Sequence, residues 1–436
     1  MIDRQLFVHE RLMLLGGLPW NIQIAVRVRG TFTEAAMVEA LASLQRQHPV
    51  LCAGIVKTGR ERPRFRTLSP PPPIPLRIIP WADEEDYFRV IAAEIDVPFD
   101  AGRGPLVRLV WIRSETVSDF VLVTHHLICD ARSTLLLLHQ LLERLDRPGV
   151  DGPQQREIAT IDDIFGGKPV RGLAKLPGMA LGAVAGLLLW VVLRPGQQSV
   201  APPPLPTYTF HWEMDEHSTS ALQALAKSRQ TTVFAALATA FLRAMREIDP
   251  AAARNRMVCP IDIRTPIPAI GPEMLFGCPA IVRLSIDRAR DDDFWGQARA
   301  LHADLIKRRA KLRSELILRA AESLHGLVDR LVVAQLRGKR RDDISIAYLG
   351  TVDFPGPYET FENVTSLTAN NTAPGPDGRS VNVLISRGRL VFCFVSRENV
   401  LPRADAERAR DLAMALLLVE PPPSSGATSH RAGRSG

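Results

Sequence analysis

A run of four apolar residues, 120–123, is the feature that most constrains how this chain can fold. An apolar run without alternation is typical of a strand that is covered on both faces, so we expect it in the middle of a sheet with helices on either side. The run is followed by His125 and His126, and Asp130 comes four residues after the second histidine. The sequence therefore predicts that two histidines lie at the exit of a buried strand.

Strand and helix patterns alternate around this run. Thr33 is placed to cap the first helix, and a second alternation of strands and helices runs from Tyr208 to about Leu418. This order predicts an α/β fold with two lobes. The predicted elements of the first lobe are strands over 21–30, 48–56, 104–113 and 119–126, and helices over 33–47, 83–95 and 131–145.

We expect four regions: a first lobe over 1–150, an insertion over 151–206, a second lobe over 207–420 and a disordered tail over 421–436. Within the insertion, 178–193 contains an apolar run of fifteen residues, with glycines at every fourth position. This run is shorter than the ~20 residues that usually span a bilayer. Such a run is compatible with a buried helix or lid that covers an active site, with an interfacial membrane anchor or with a short re-entrant hairpin.

The two histidines and Asp130 suggest acid–base chemistry. Side chains alternate along a strand, so His125 and His126 face opposite ways if the strand continues through both, and only one can enter a given cavity. A buried histidine stays neutral, as a general base requires, although a hydrogen-bonded core histidine is an equally good interpretation. Asp130 can orient an imidazole, pair with a distant arginine or cap the next helix. Cys129 and Ser133 carry no sign of activation as nucleophiles.

Composition limits the partners and the compartment. The net charge is +7, and 307–341 holds eleven Lys or Arg against three acids, which suits a partner with phosphates or carboxylates or else two solvated helix faces. No nucleic-acid-binding motif accompanies this charge. The five cysteines are scattered and contain no CxxC pair, so we expect a reducing, cytoplasmic setting without a zinc site.

Residues 125–131, "HHLICDA", resemble the HHxxxDG signature of the CoA-dependent acyltransferase superfamily, with Ala131 in place of the glycine. This superfamily includes condensation domains of nonribosomal peptide synthetases, polyketide-associated acyltransferases, alcohol acetyltransferases and wax ester synthases. Four other stretches are similar to segments of the same superfamily: 44–56, 97–113, 258–266 ("VCPIDIRTP") and 344–353.

The resemblance implies two chloramphenicol-acetyltransferase-like lobes, each a mixed sheet with flanking helices, and an active-site tunnel between them. It assigns His126 as the general base and Asp130 as a mainly structural residue. Arg264 is the matching candidate for the salt-bridge partner of Asp130, and His125 supports the loop.

The reaction implied is acyl transfer from a thioester, either acyl-CoA or a phosphopantetheine-linked acyl carrier protein, to an alcohol of a lipid or secondary metabolite. No metal and no tightly bound cofactor are implied. Two alternatives stay open: an amide-forming condensation enzyme acting in trans, and a binding member of the fold without turnover. The expected partners are a small-molecule or lipid acceptor, an acidic carrier protein and, through 178–194, a peripheral membrane contact.

Overall fold

The structure of the protein is a computed structural model. The predictions for 178–193 and for the tail fall on residues outside the part of the chain that the structure describes. The described residues are 1–14, 19–57, 61–156, 158–165, 206–262, 264, 267, 270–277, 280–290, 293–337, 342–354, 356, 358–371 and 378–418.

Strands and helices alternate in the first half of the chain. Its elements are β1 (Asp3–Gln5), α1 (Val8–Leu14), β2 (Asn21–Arg29), α2 (Glu34–Gln47), a 3₁₀ helix (Pro49–Cys52), β3 (Ala53–Val56), β4 (Arg64–Thr67), β5 (Leu76–Pro80), α3 (Asp86–Glu94), β6 (Val107–Arg113), β7 (Val117–His125), α4 (Ala131–Asp146) and α5 (Ile161–Ile164).

The second half repeats the alternation with longer helices. Its elements are β8 (Thr207–Met214), α6 (Glu216–Ser228), α7 (Val233–Ile248), β9 (Arg256–Ile261), β10 (Ala280–Ser285), a 3₁₀ helix (Arg288–Arg290), α8 (Phe294–Lys311), α9 (Ser314–Ala321), a 3₁₀ helix (Glu322–Leu327), α10 (Val328–Arg337), β11 (Ile344–Thr351), β12 (Glu362–Asn371), β13 (Ser380–Ser386), β14 (Arg389–Arg397) and α11 (Arg403–Leu418).

The first sheet has β7 at its centre, as the apolar run at 120–123 predicts. The strand order is β12-β2-β7-β6-β5; β5 and β6 are parallel and the other pairs are antiparallel. One face of β7 presents Phe120 and Leu122 to the core shared with α2 and α4. The other face presents Val121 and Val123 to α3. Both faces are therefore covered, and the two histidines lie at the carboxyl end of β7.

The second sheet is also mixed and forms a second core. Its strand order is β10-β9-β11-β13-β14-β8, in which β11 runs parallel to both β9 and β13. Helix α7 is apolar around most of its surface and is buried against this sheet together with α8 and α11. Two mixed sheets with flanking helices confirm the predicted α/β fold class.

One strand crosses between the halves. Strand β12 lies at the edge of the first sheet, antiparallel to β2, although it follows β11 of the second sheet in sequence. Its approach is held by Asp146 at the end of α4, whose carboxylate accepts hydrogen bonds from the backbone N–H groups of Glu359 and Thr360 at 2.6 and 2.8 Å. The predicted lobes, 1–150 and 207–420, do not account for β12, which belongs to the second lobe by sequence and to the first sheet by structure. Their boundaries stay predictions.

Two local predictions need adjustment. Residues 49–52 form a 3₁₀ helix and only Ala53–Val56 form a strand, because Pro49 has a fixed φ and no N–H and so favours the first turn of a helix. The acidic stretch before α3 forms a turn in which Asp86 accepts from the backbone N–H of Asp83 at 3.0 Å, so the helix begins at Asp86 and not at 83.

Among the described helices, none has both the length and the apolar character needed to cross a membrane.

Candidate active site

Strand β7 ends at His125, and His126 begins the turn into α4. His125 is the last strand residue and pairs with Asn21 of β2. The backbone N–H of His126 then donates to the carbonyl of Trp20 at 2.6 Å, which keeps the start of the turn against the residue that precedes β2. The turn therefore presents His126 at the edge of the sheet, beyond the last residue of β7.

His125 is a buried, neutral residue of the turn. Its Nδ1 accepts a hydrogen bond from the backbone N–H of Leu127 at 3.1 Å, and its ring meets the ring of Phe99 edge-on. Burial lowers the pKa of His125 to about 3, with smaller contributions from His126 and Arg108. A ring that cannot take a proton near neutral pH is suited to support the turn, which is the role that the resemblance implies.

His126 has the environment of a general base. Its side chain is half-buried, and its pKa is lowered by burial, which the backbone of its own residue, the charge of Asp130 and the backbone of Cys129 only partly offset. Its Nδ1 is enclosed and makes no hydrogen bond of normal geometry within the described residues. Trp20 packs edge-on against the ring at 6.3 Å between centroids. The ring is thus held in place and neutral, ready to accept a proton.

Asp130 combines two of the three arrangements considered from the sequence. It is the N-cap of α4, where its Oδ1 accepts from the backbone N–H of Ser133 at 2.8 Å. The same carboxylate accepts from the guanidinium of Arg264 at 2.6 and 3.1 Å. The structure therefore brings together the aspartate of the first half and the arginine of the second half.

Arg264 anchors the turn to the second half of the chain. Its side chain is 10% exposed, and it also donates to the hydroxyl of Ser133 at 2.8 Å. Although burial disfavours its charged form, the hydrogen bond and charge of Asp130 hold the pKa of Arg264 above its usual value. The guanidinium therefore stays charged and fixes the end of α4 relative to the second half.

A segment of the second half that the sequence did not single out lies directly on the turn. The carbonyl of Phe276 accepts from the backbone N–H of Asp130 at 3.0 Å, and the N–H of Phe276 donates to the hydroxyl of Ser133 at 3.0 Å. A Cβ atom on Gly277 would lie 2.2 Å from the carbonyl oxygen of His126. The glycine within this apolar stretch was the signal that could have indicated a close backbone approach.

Neither of the two other candidate nucleophiles is activated. Cys129 is fully buried, and burial, followed by the charge of Asp130, raises the pKa of its thiol. The Ser133 hydroxyl already accepts from Arg264 and from the N–H of Phe276, and it donates to the carbonyl of Phe276 at 3.2 Å. Both residues therefore serve the structure of the turn, and His126 is the residue suited to proton transfer.

Gly277→Ala is expected to lower activity by about 10²-fold, because the added methyl group displaces the backbone that carries His126 and a shift of about 1 Å can cost that much. Gly271→Ala is the matched control, since a Cβ at that position meets nothing within 4 Å. Steady-state assays of both variants, with melting curves to check folding, test this. Equal activity of the two variants would show that the close approach has no role.

Comparisons with known proteins match both the sequence and the fold. Residues 4–145 match the model of the Condensation domain family. Malpibaldin synthetase of Mortierella alpina is 26% identical over 256 residues, which is 54% of this chain and 4% of that protein. The nonribosomal peptide synthetase agiA of Aspergillus flavus is 28% identical over 150 residues, which is 32% of this chain and 2% of that protein. The chain thus spans a small part of the length of these relatives.

Solved structures cover nearly the whole chain. Polyketide synthase associated protein 5 of Mycobacterium tuberculosis superposes with a TM-score of 0.63 at 15% identity, covering 96% of this chain and 98% of that one. A trichothecene 15-O-acetyltransferase of Fusarium sporotrichioides gives 0.68 at 10% identity over 95% of each chain. The epimerization domain of the third module of tyrocidine synthetase B gives 0.59 at 13% identity over 95% of each. At these identities the superpositions establish a shared two-lobed fold.

Proposed function

We propose that this chain, which has the fold of the CoA-dependent acyltransferase superfamily, transfers an acyl group from a thioester donor to an alcohol. The resemblance found in the sequence is confirmed at the level of fold, and the matches favour a transferase that forms ester or amide bonds. The observation that carries the proposal is the state of His126. Its ring is half-buried and neutral, and it lies on a turn whose Asp130 is bound by Arg264 and by the backbone of Phe276.

In the proposed reaction, His126 Nε2 accepts the proton of the acceptor hydroxyl while the oxygen attacks the thioester carbonyl. The tetrahedral intermediate collapses with cleavage of the carbon–sulfur bond, and the imidazolium returns its proton to the departing thiolate. Both substrates are bound together, because neither Cys129 nor Ser133 is set up to carry the acyl group. His126 therefore acts as base and then as acid within one turnover.

The oxyanion of this intermediate needs hydrogen-bond donors. Backbone N–H groups near the motif are the nearest candidates, but three of them already donate within the protein. Leu127 donates to His125 Nδ1, Ile128 to the His125 carbonyl and Asp130 to the Phe276 carbonyl. These three N–H groups are therefore not free to donate to the oxyanion.

Amide formation is the second candidate, and it is favoured by the match of the first half to the Condensation domain family and by the two synthetase relatives. The same base would deprotonate an amine during its attack on the thioester. The two reactions differ only in the acceptor, so the geometry of the turn serves either.

One experiment separates these functions. The purified protein is incubated with acyl-CoA donors of graded chain length, or with acylated carrier protein, together with a panel of alcohols and amines, and products are read by mass spectrometry. Ester products support the proposal, and amide products alone support the second candidate. If the protein consumes no thioester with any acceptor, both are overturned in favour of a binding role.

We also propose an acidic acyl carrier protein as a partner of the basic end of α8. Lys307 and Arg309 are exposed there beside Ile306, which is itself 55% exposed. Reversing the charge of Lys307 and Arg309 to glutamate is expected to raise KM for acylated carrier protein, since opposite charges steer such encounters. Arg103→Glu, on an exposed loop of the first half, is the control. Equal KM values for all variants would refute this surface.

A peripheral membrane contact through 178–194 is a further proposal, and it is drawn from the sequence. Lys168, Arg171, Lys175 and Arg194 flank the apolar run, and basic flanks favour an anionic surface. The full chain should cosediment with anionic liposomes, and a variant lacking 178–194 should not. If the full chain stays in the supernatant, the contact is refuted.

A further inference from the structure

Two buried hydroxyl groups lie on either side of the turn that carries His126. Thr124 is the residue of β7 that precedes the two histidines, and Thr134 lies in the first turn of α4. Both residues are 0% exposed. Because side chains alternate along a strand, Thr124 shares the face of β7 that presents Phe120 and Leu122 to the core formed with α4. The strand and the helix therefore each bring one hydroxyl group to the base of the turn.

The hydrogen bonds of these two hydroxyl groups form a chain with a fixed direction. The Oγ1 atoms of Thr124 and Thr134 lie 2.8 Å apart, and Thr134 Oγ1 lies 3.0 Å from the backbone carbonyl oxygen of Asp130. A carbonyl oxygen only accepts, so Thr134 donates its one hydroxyl proton to Asp130. Thr124 must therefore donate to Thr134. The chain runs from the end of β7 to the residue that caps α4 and binds Arg264.

The bond between the two hydroxyl groups distinguishes Thr134 from an ordinary helical threonine. A threonine inside a helix often donates to the carbonyl four residues earlier, and Thr239 of α7 does so, with Ala235 as acceptor at 2.9 Å. That bond stays within one helix. The hydroxyl of Thr134 makes the same kind of bond and also accepts from β7, so it ties the start of α4 to the strand.

We propose that Thr124 and Thr134 are positioning residues for His126, and that the bond between their hydroxyl groups sets where the turn lies relative to β7. The role rests on the proposed acyl transfer and adds two residues that are buried in the core. Leu127 and Ile128 bond back to His125, so their bonds do not reach α4. The two threonines join the strand and the helix directly.

Two double variants separate the hydroxyl groups from the shape of the side chains. Thr124→Val combined with Thr134→Val removes both hydroxyl groups together and keeps the branched shape. The Asp130 carbonyl keeps the backbone N–H of residue 134 as a donor at 2.9 Å, so the variant should stay folded. Its kcat should fall by about 10–10²-fold with KM unchanged, since a shift of about 1 Å in a catalytic group can cost 10²-fold.

The second double variant, Thr124→Ser combined with Thr134→Ser, keeps the hydroxyl groups and removes two buried methyl groups. It should melt at a lower temperature and yet keep a kcat close to that of the wild type. Thr239→Val is the matched control, because it removes an equally buried hydroxyl group of the same kind from α7, and its kcat should be unchanged.

Hydrogen exchange of the peptide over 124–134 gives a readout that needs no turnover. Exchange there should be faster in the valine double variant than in the wild type, because the start of α4 is no longer tied to β7, and Thr239→Val should not change it.

The outcomes separate this role from the proposed function. A valine double variant with the kcat of the wild type, or with unchanged exchange over 124–134, overturns the role. So does an equal loss of kcat in the serine double variant, which would assign the effect to packing, or in Thr239→Val, which would assign it to the loss of any buried hydroxyl group. If exchange rises but the wild type transfers no acyl group from any donor, the proposed function fails and the positioning role with it, whereas the link between β7 and α4 stands.

Discussion

His126→Ala is expected to reduce acyl transfer by about 10²–10⁴-fold, which is the usual contribution of a positioned general base. The variant should remain folded, because the His126 side chain is half-buried and its Nδ1 makes no hydrogen bond of normal geometry within the described residues. Its backbone contact with the Trp20 carbonyl does not involve the imidazole. Initial rates with the best donor and acceptor, together with a melting curve, measure both effects.

Cys129→Ala is the matched control, because Cys129 lies three residues further along the same turn and is fully buried. It should retain turnover within a few-fold, allowing for a modest loss of stability from the smaller side chain. If His126→Ala has an activity close to that of the wild type, His126 is not the general base. Recovery of an acyl group bound to Cys129 would indicate a covalent route in place of direct transfer.

The pH profile gives a second readout for the same residue. Burial lowers the pKa of His126, so the ring is neutral over a wider range than an ordinary histidine with a pKa near 6.5. Activity should therefore be retained as the pH falls through 6.5 and should decline only below it, since protonation removes the base. A decline centred above 6.5 would contradict this environment.

Much of the first lobe could be predicted because its signals are local. The unbroken apolar run at 120–123 indicated a strand covered on both faces, and the structure places β7 between β2 and β6. Thr33 was expected to cap a helix, and its hydroxyl accepts from the N–H of Ala36 at 3.1 Å. Periodicity and caps depend on neighbouring residues, so one sequence is enough to find them.

The contacts that complete the site depend on residues distant in sequence. Gly277 and Phe276 pack against the turn that carries His126, although about 150 residues separate them from His126 in the sequence. Strand β12 joins the first sheet from the far end of the chain. No local pattern encodes such pairings. Arg264 was identified because the resemblance supplied a distant partner for Asp130, which composition and spacing could not.

The pair formed by Asp130 and Arg264 should stabilise the protein as well as the site. Removing one partner of a buried ion pair typically costs about 3–5 kcal/mol, because the other charge is left uncompensated. Asp130 is 22% exposed, and Asp262 also lies 3.4 Å from the Arg264 guanidinium and keeps part of its charge compensated, so we expect the lower end of that range. Asp130→Ala should lower both the free energy of unfolding and the activity, the latter by about 10²-fold through displacement of the turn.

Asp130→Asn separates the two structural roles of this residue. Asparagine is as good an N-cap as aspartate, so the variant should keep the hydrogen bond from the Ser133 N–H while losing the charge that faces Arg264. If the ion pair dominates, Asp130→Asn should lose most of the stability that Asp130→Ala loses, with the cap accounting for about 1 kcal/mol of the difference. Near-normal stability of Asp130→Asn would mean that capping is the main role of Asp130.

The double variant Asp130→Ala, Arg264→Ala completes the test. Because the destabilisation of each single variant includes an uncompensated charge, removing both partners should destabilise less than the sum of the two single changes. Urea unfolding of the four proteins measures this coupling, and activity assays show whether the turn is still positioned. If the two destabilisations add strictly, the side chains of Asp130 and Arg264 do not interact in solution. In that case the contact of 2.6 Å between them could not be what fixes the His126 turn to the second half of the chain.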